Sequence, residues 1–281
     1  MKKFICLGGF LVALLVAFPW GVWADEARPE PEIRADAGLI MDMETKEVLW
    51  AKEGLTPMAP ASLIKLLNIL TAYPYIDFQD DVMVGPLVDS LYAGQLLNLT
   101  EGDILEAGEL LYGMMLYSAN DAAVAMADYM VSDEVFYSKL MDKKAWALGA
   151  INTDSINSNG YSDPEQKTTA YDLAIIGVAF MEDDALADIA ATLSHTFTWL
   201  SPEKELPLTN INRFLFSYNG ATGLKTGTTD MAGKCLIATA ERDDVELLAV
   251  ALNSSRRYED CTLMLDYGFA LKSEDVESEE D

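Results

Sequence analysis

Residues 61–73 read Ala-Ser-Leu-Ile-Lys-Leu-Leu-Asn-Ile-Leu-Thr-Ala-Tyr. Leu63, Leu66, Leu67 and Leu70 recur at one-face spacing, which predicts a helix with one buried side. Ser62 and Lys65 lie three apart on a different face, with Cβ atoms about 5–6 Å apart. Before this helix, Ala37–Met43 and Glu47–Ala51 read as a strand hairpin turning at Glu44-Thr45-Lys46. After it the chain turns helical. Glu106–Tyr117 and Asp121–Met130 are apolar enough to be buried all round. Glu134–Leu148 and Thr169–Phe180 continue the block, with Thr169 and Asp172 patterned like a capping box. Strand-like runs then return at Thr196–Trp199, Lys234–Ala240 and Glu246–Leu252, and Tyr258–Leu271 reads as a closing helix. This order predicts an α/β chain of the α+β type. Both chain ends share one mainly antiparallel sheet, and an inserted all-helical lobe packs beside it. A ligand site is expected in the cleft between them.

The chain has 281 residues, with 19 Lys+Arg against 46 Asp+Glu and a net charge of −27. That balance argues against a nucleic-acid partner, which is bound by neutralising phosphates. A hydrophobic fraction of 51% argues against disorder. A single histidine argues against a His-rich metal site, and neither metal nor cofactor is expected. Lys2 and Lys3, the apolar run Phe4–Pro19 and the small-residue end at Val22-Trp23-Ala24 read as a signal peptide over residues 1–24. The alternative is a retained anchor, since Phe4–Val22 is just long enough to span a bilayer. Residues 25–36 are expected to form a flexible acidic leader, 37–272 one domain, and 273–281 an acidic disordered tail. Export would permit Cys235 and Cys261 to pair. The favoured reading is two small buried residues that never meet.

Three short motifs could carry chemistry. In Ser62-Leu63-Ile64-Lys65 a neutral lysine would be the base a serine hydroxyl needs to become a nucleophile. Holding neutral near pH 7 a lysine whose ordinary pKa is about 10.4 costs on the order of 4 kcal/mol, which burial and a second cation can supply. The bland alternative is a capping serine and a snorkelling lysine. Ser118-Ala119-Asn120 breaks an apolar run, either to cap the next helix or to present a hydroxyl and an amide to the cleft. Lys225-Thr226-Gly227-Thr228-Thr229 offers a cation for a carboxylate and a glycine-relieved edge for an extended peptide, or else is a tight turn.

Taken in this order, the three motifs form the Ser-x-x-Lys, Ser-x-Asn, Lys-Thr-Gly set of the penicillin-recognising serine enzymes. The chain resembles the D-alanyl-D-alanine carboxypeptidases, the low-molecular-mass penicillin-binding proteins, over most of Ala37–Leu271. The resemblance implies a β-lactamase/transpeptidase-like fold, with residues 37–272 as the catalytic domain. It implies a serine-type D,D-peptidase acting on peptidoglycan stem peptides that end in D-Ala-D-Ala, with β-lactams as covalent inhibitors. Carried over residue by residue, Ser62 is the nucleophile, Lys65 takes its proton, and Ser118 relays a proton to the leaving D-alanine. Asn120 binds the peptide and holds Lys65, and Lys225 binds the terminal carboxylate. Thr226, Gly227 and Thr228 line the substrate strand, and the backbone N–H groups of Ser62 and Thr228 form the oxyanion hole. Three positions depart from the family pattern: Ile64 where threonine is usual, Thr228 where an aromatic or histidine is usual, and Asn157-Ser158-Asn159-Gly160-Tyr161 for Asn-x-His-Gly-Leu. Many members carry a further β-rich domain and an amphipathic anchor after the closing helix. Neither is expected here, nor a stable membrane anchor once the signal is cleaved.

Three rivals were weighed. A class A β-lactamase needs a Glu-x-x-x-Asn loop, but Pro207 stands where the asparagine would follow Glu203. A Ser-His-Asp hydrolase would use His195, but no Gly-x-Ser-x-Gly elbow is present. A non-catalytic wall-binding protein would have no reason to keep Ser62, Lys65, Ser118, Asn120 and Lys225 together.

Overall fold

The stretch Val245–Leu252 explains the centre of the molecule. Its side chains alternate between two buried faces. Leu248, Val250 and Leu252 join one apolar cluster, while Leu247, Ala249 and Ala251 join another. A strand buried on both sides must lie mid-sheet. The computed structural model describes residues 29–91 and 93–279. The signal expected over 1–24, and the start of the leader, lie outside the described residues.

In chain order the elements are β1 (Ala37–Asp42), β2 (Val48–Lys52), α1 (Lys65–Ala72), β3 (Asp81–Met83), β4 (Ile104–Glu106), α2 (Ala107–Tyr112), α3 (Asn120–Val131), α4 (Glu134–Leu148), α5 (Ala170–Met181), α6 (Asp184–Ala191), β5 (Ser194–Trp199), β6 (Lys204–Thr209), α7 (Phe214–Ser217), β7 (Ala221–Thr229), β8 (Gly233–Arg242), β9 (Val245–Leu252) and α8 (Arg257–Glu279). The main sheet is antiparallel with strand order β2-β1-β9-β8-β7. The first and last strands of the sequence are therefore neighbours, in register from Ala37↔Leu252 to Asp42↔Leu247. The larger cluster joins one sheet face to the helical lobe, and α8 covers the other face through Cys261, Met264 and Leu265. Residues from Pro31 onward pack as one compact unit. Both ends in one sheet, with helices inserted between, is the architecture expected from the sequence.

Two local expectations hold. Thr169 caps α5, its Oγ1 accepting from Asp172 N at 3.0 Å. Cys235 and Cys261 are free and buried, and burial raises both thiol pKa values. Among the described residues no helix is long and apolar enough to cross a membrane.

Two expectations need correcting. The leader is not loose throughout. Buried Asp260 on α8 accepts from Arg34 N at 3.0 Å and Ala35 N at 2.8 Å, and Asp36 N donates to Leu252 O at 3.0 Å. The carboxylate lies 226 residues along the chain, so sequence reading saw only a charged stretch. Nor does the chain become disordered at Ser273, since α8 continues to Glu279. The acidic run holds no Pro or Gly, and glutamate is a good helix former. The strand β6 was also not foreseen. Its charges and Pro207 mask it, and a two-stranded ribbon with β5 tolerates them.

Asp260 also accepts from Ser254 Oγ at 2.6 Å. Asp260→Ala would leave two backbone N–H groups unsatisfied and should cost about 3 kcal/mol of stability. Urea unfolding checks this, and a loss below about 1 kcal/mol would remove the carboxylate as the tie between the chain ends.

Candidate active site

The leucine stripe forces the serine and lysine together, but not on a uniform α-helix. Residues Ala61–Ile64 form a 3-10 turn and the α-helix begins at Lys65. The turn opens on Ala61 with φ 50, in the left-handed region that a non-glycine residue enters only at a cost. Leu63, Ile64, Leu66 and Leu67 are buried, so this turn is fixed from behind.

Lys65 has no solvent exposure. Its Nζ lies 2.6 Å from Asn159 O, 2.8 Å from Asn120 Oδ1 and 2.8 Å from Ser62 Oγ. The first two partners can only accept. In a neutral amine they would take both N–H groups and leave the lone pair facing a hydroxyl that can donate. The Asn120 amide is oriented by its Nδ2, which donates to Ala93 O at 3.3 Å. Burial holds the Lys65 pKa well below the ordinary lysine value, and the charge of Lys225 lowers it further, against an opposing pull from Asp121. An amine whose pKa is lowered in this way, beside a hydroxyl, is suited to act as the base that takes its proton.

Asn120 stands at the start of α3, after a π-helical turn at Gly113–Tyr117 and the left-handed Ser118, φ 63. Such π turns recur at functional sites because they re-aim a side chain. Next door, Asp121 accepts from Leu97 N and Leu99 N, both at 3.1 Å, and so ties down the loop that carries Ala93. Burial raises the Asp121 pKa, and those backbone N–H groups pull it back down.

The Lys-Thr-Gly motif lies within β7, an edge of the main sheet, and not in a turn. A β-carbon at Gly227 would sit 3.1 Å from Ser62 N, so the strand passes in contact with the serine turn. Lys225 is 1% exposed. Burial, and then the charge of Arg257, lower its pKa to about 7.

A cleft of about 980 Å³ opens over these groups, lined by Ser62, Ser118, Asn120, Thr226, Gly227 and Thr228 among others. Lys65 and Lys225 are buried behind it. All eight residues picked from the sequence thus converge on one place. His195 does not join them. It lies 3.0 Å from Glu109 Oε2 and stacks on Tyr112 at 3.9 Å, fastening β5 to α2. Among the described residues no group of three or more His, Cys, Asp and Glu is placed to hold a metal.

Two contributors escaped sequence reading. Asn159 acts through its backbone oxygen, and its loop is shaped by Asn157 Oδ1 accepting from Gly160 N at 2.8 Å. The asparagine-rich turn was the available signal. Arg257 Nη1 donates to Gly227 O and Thr228 Oγ1, both at 2.8 Å, and to Cys235 O at 3.2 Å, bracing β7 against β8 at the cleft edge.

A serine within hydrogen-bond reach of a buried lysine, set between a helical lobe and the edge of an antiparallel sheet, is the arrangement that fold and site define. Residues 24–256 match the family model for D-alanyl-D-alanine carboxypeptidases. DacF of Bacillus subtilis, a D-alanyl-D-alanine carboxypeptidase, is 30% identical over 84% of this chain and 62% of its own length. DacB2 of Mycobacterium tuberculosis is 30% identical over 89% of each chain. The chain therefore spans less than two thirds of DacF but most of DacB2. The crystal structure of the Streptomyces K15 DD-transpeptidase superposes with a TM-score of 0.81 at 26% identity, covering 86% of this chain and 100% of that one. The chain belongs to the D-alanyl-D-alanine carboxypeptidase family.

Gly160 has φ +85, and a β-carbon there would lie 2.1 Å from Ala61 O and 2.9 Å from Ser62 N. Gly160→Ala should cost about 1–3 kcal/mol of stability. It should also slow acylation of Ser62 by a serine-directed reagent at least tenfold. Unchanged labelling kinetics would show that the turn tolerates the intrusion.

Proposed function

We propose that the protein is a serine-type D-Ala-D-Ala carboxypeptidase that removes the terminal D-alanine of peptidoglycan stem pentapeptides through an acyl-enzyme. The observation that carries this reading is the fully buried Lys65 Nζ 2.8 Å from Ser62 Oγ, with its two other contacts made to acceptor-only oxygens. Ser62 Oγ attacks the carbonyl between the two D-alanines while its proton passes to Lys65 Nζ. The oxyanion is held by the N–H groups of Ser62 and Thr228, at the point where β7 meets the serine turn. Lys65 passes that proton through Ser118 to the departing amine and is neutral again, and water then cleaves the ester with Lys65 taking the water's proton and returning it to Ser62 Oγ. Lys225, with Arg257 behind it, draws the terminal carboxylate into register, and the edge of β7 pairs with the peptide. β-Lactams acylate the same hydroxyl. The apolar N-terminus supports a location outside the cytoplasm, in the cell wall or periplasmic space where the substrate lies, whether the segment is cleaved or kept.

Release of D-alanine from a pentapeptide ending in D-Ala-D-Ala tests the reading. Ser62→Ala should lower it at least 1000-fold, a magnitude of order for removing a covalent nucleophile. Mass spectrometry after bocillin treatment should place one adduct on Ser62. Absence of both turnover and adduct would leave a non-catalytic wall-binding protein on this scaffold.

The pH profile gives an independent check. With its pKa at about 7, Lys225 loses its charge as pH rises through neutrality, and the carboxylate then loses its cation. kcat/KM reports the free enzyme, so it should fall on the alkaline side with a midpoint near that value. Lys225→Arg cannot lose its proton and should move that limb upward. An alkaline limb that Lys225→Arg leaves in place would belong to another group.

A further inference from the structure

Ser158 lies in the loop ahead of α5, and all three of its polar atoms are engaged. Its N and its Oγ donate to one oxygen of Glu134, Oε1, at 3.0 and 2.6 Å. Its O accepts from Asn68 Nδ2 at 2.9 Å. The residue has no solvent exposure. Next to it is Asn159, whose O lies 2.6 Å from Lys65 Nζ, the shortest of the three contacts to that amine. A carboxylate suits this grip, because a charged oxygen accepts short hydrogen bonds and can take two at once. Neutral side chains tie the rest of the loop: Ile156 N and Asn157 N donate to Gln166 Oε1, and Gly160 N donates to Asn157 Oδ1. Glu134 brings an anion from α4 to the residue beside Asn159.

The same helix also reaches α1. Tyr137, three residues after Glu134 and on the same face, donates from its hydroxyl to Asn68 O at 2.9 Å. Asn68 follows Lys65 by three residues on α1. One face of α4 therefore holds both the helix that carries the amine and the loop that covers it. The charges that bear on Lys65 come from Lys225 on β7 and Asp121 on α3, while burial is the first cause of its lowered pKa. Glu134 is bonded to Ser158 instead. A loop free to drift would admit water to Nζ, and water hydrates an ammonium on every side where a fixed carbonyl offers one bond.

We propose that Glu134 is a positioning residue: through Ser158 it fixes the Asn159 carbonyl against Lys65 Nζ and keeps water from the amine that takes the Ser62 proton. The inference rests on the D,D-peptidase reading for what the amine does, but not for where it lies.

Two measurements on the full chain test it. The protonation midpoint of Lys65 is read from its 13Cε chemical shift, assigned by the signal's loss in Lys65→Arg. Acylation of Ser62 by a fluorescent penicillin is timed over the same pH range. Glu134→Ala should raise the midpoint by about half a pH unit or more, and below the midpoint acylation should slow about threefold or more, in step with the smaller neutral fraction. Glu134→Gln keeps an accepting oxygen and removes only the charge. Loss of an anion alone lowers a lysine pKa, so a rise in Glu134→Ala that Glu134→Gln reverses reports the loop and not the charge. Ser158→Ala removes the bond at Oγ and leaves the one at N, and should move the midpoint the same way by less; it carries the test if Glu134→Ala does not fold. A Glu134→Ala protein that melts earlier with its midpoint unmoved overturns the proposal, and so does a downward move shared by both Glu134 variants. A midpoint that rises as expected in a protein whose wild type is not acylated would sink the reaction and leave the positioning role standing.

Discussion

The burial of one amine organises this molecule. Lys65 Nζ is contacted from three separate parts of the chain: the turn before α1, the start of α3 and the asparagine loop ahead of α5. A charged ammonium there would want three acceptors and would give up its hydration to get them. The site instead offers two oxygens that only accept and one hydroxyl that can go either way. Much of the surrounding lobe serves this arrangement. Asn68 Nδ2 donates to Ser158 O at 2.9 Å and to Ala123 O at 3.1 Å, so one side chain of α1 pins both flanking segments. Glu134 accepts from Ser158 N at 3.0 Å and holds the loop from its far side.

Two buried lysines share the site, and burial alone does not separate them. Both are desolvated, so both pKa values fall. Lys65 falls further because Lys225 is charged nearby, while Lys225 is pressed by Arg257. A carboxylate arriving beside Lys225 would favour its charged form and thereby help keep Lys65 neutral. On the proposed reading, substrate uptake and readiness of the base would be coupled through one electrostatic contact.

The sequence made the chemistry more legible than the scaffolding that tunes it. Ser62 and Lys65 could be paired because helical spacing alone brings them together, and the sheet could be outlined because β8 and β9 are apolar without interruption. Asn159 was hidden because it works through a carbonyl that every residue possesses. Arg257 was hidden because its partners are backbone oxygens of two strands whose register is set by distant packing. The leader's attachment was invisible for a similar reason, its anchor being a lone aspartate at the other end of the chain. The 3-10 start of the Ser62 segment does not show in the sequence, since periodicity cannot tell one tight turn from another.

The pairing of β1 with β9 has a consequence for the order in which the protein comes into being. A nascent chain emerges from the ribosome with β1 already made and its partner still some two hundred residues away. The sheet cannot close, and β7 cannot be pressed against the serine turn, until almost the whole polypeptide exists. Topology of this kind delays the hydroxyl's reactivity to the last stage of maturation. Until the ends meet, the contacts that surround Ser62 and Lys65 are not all in place.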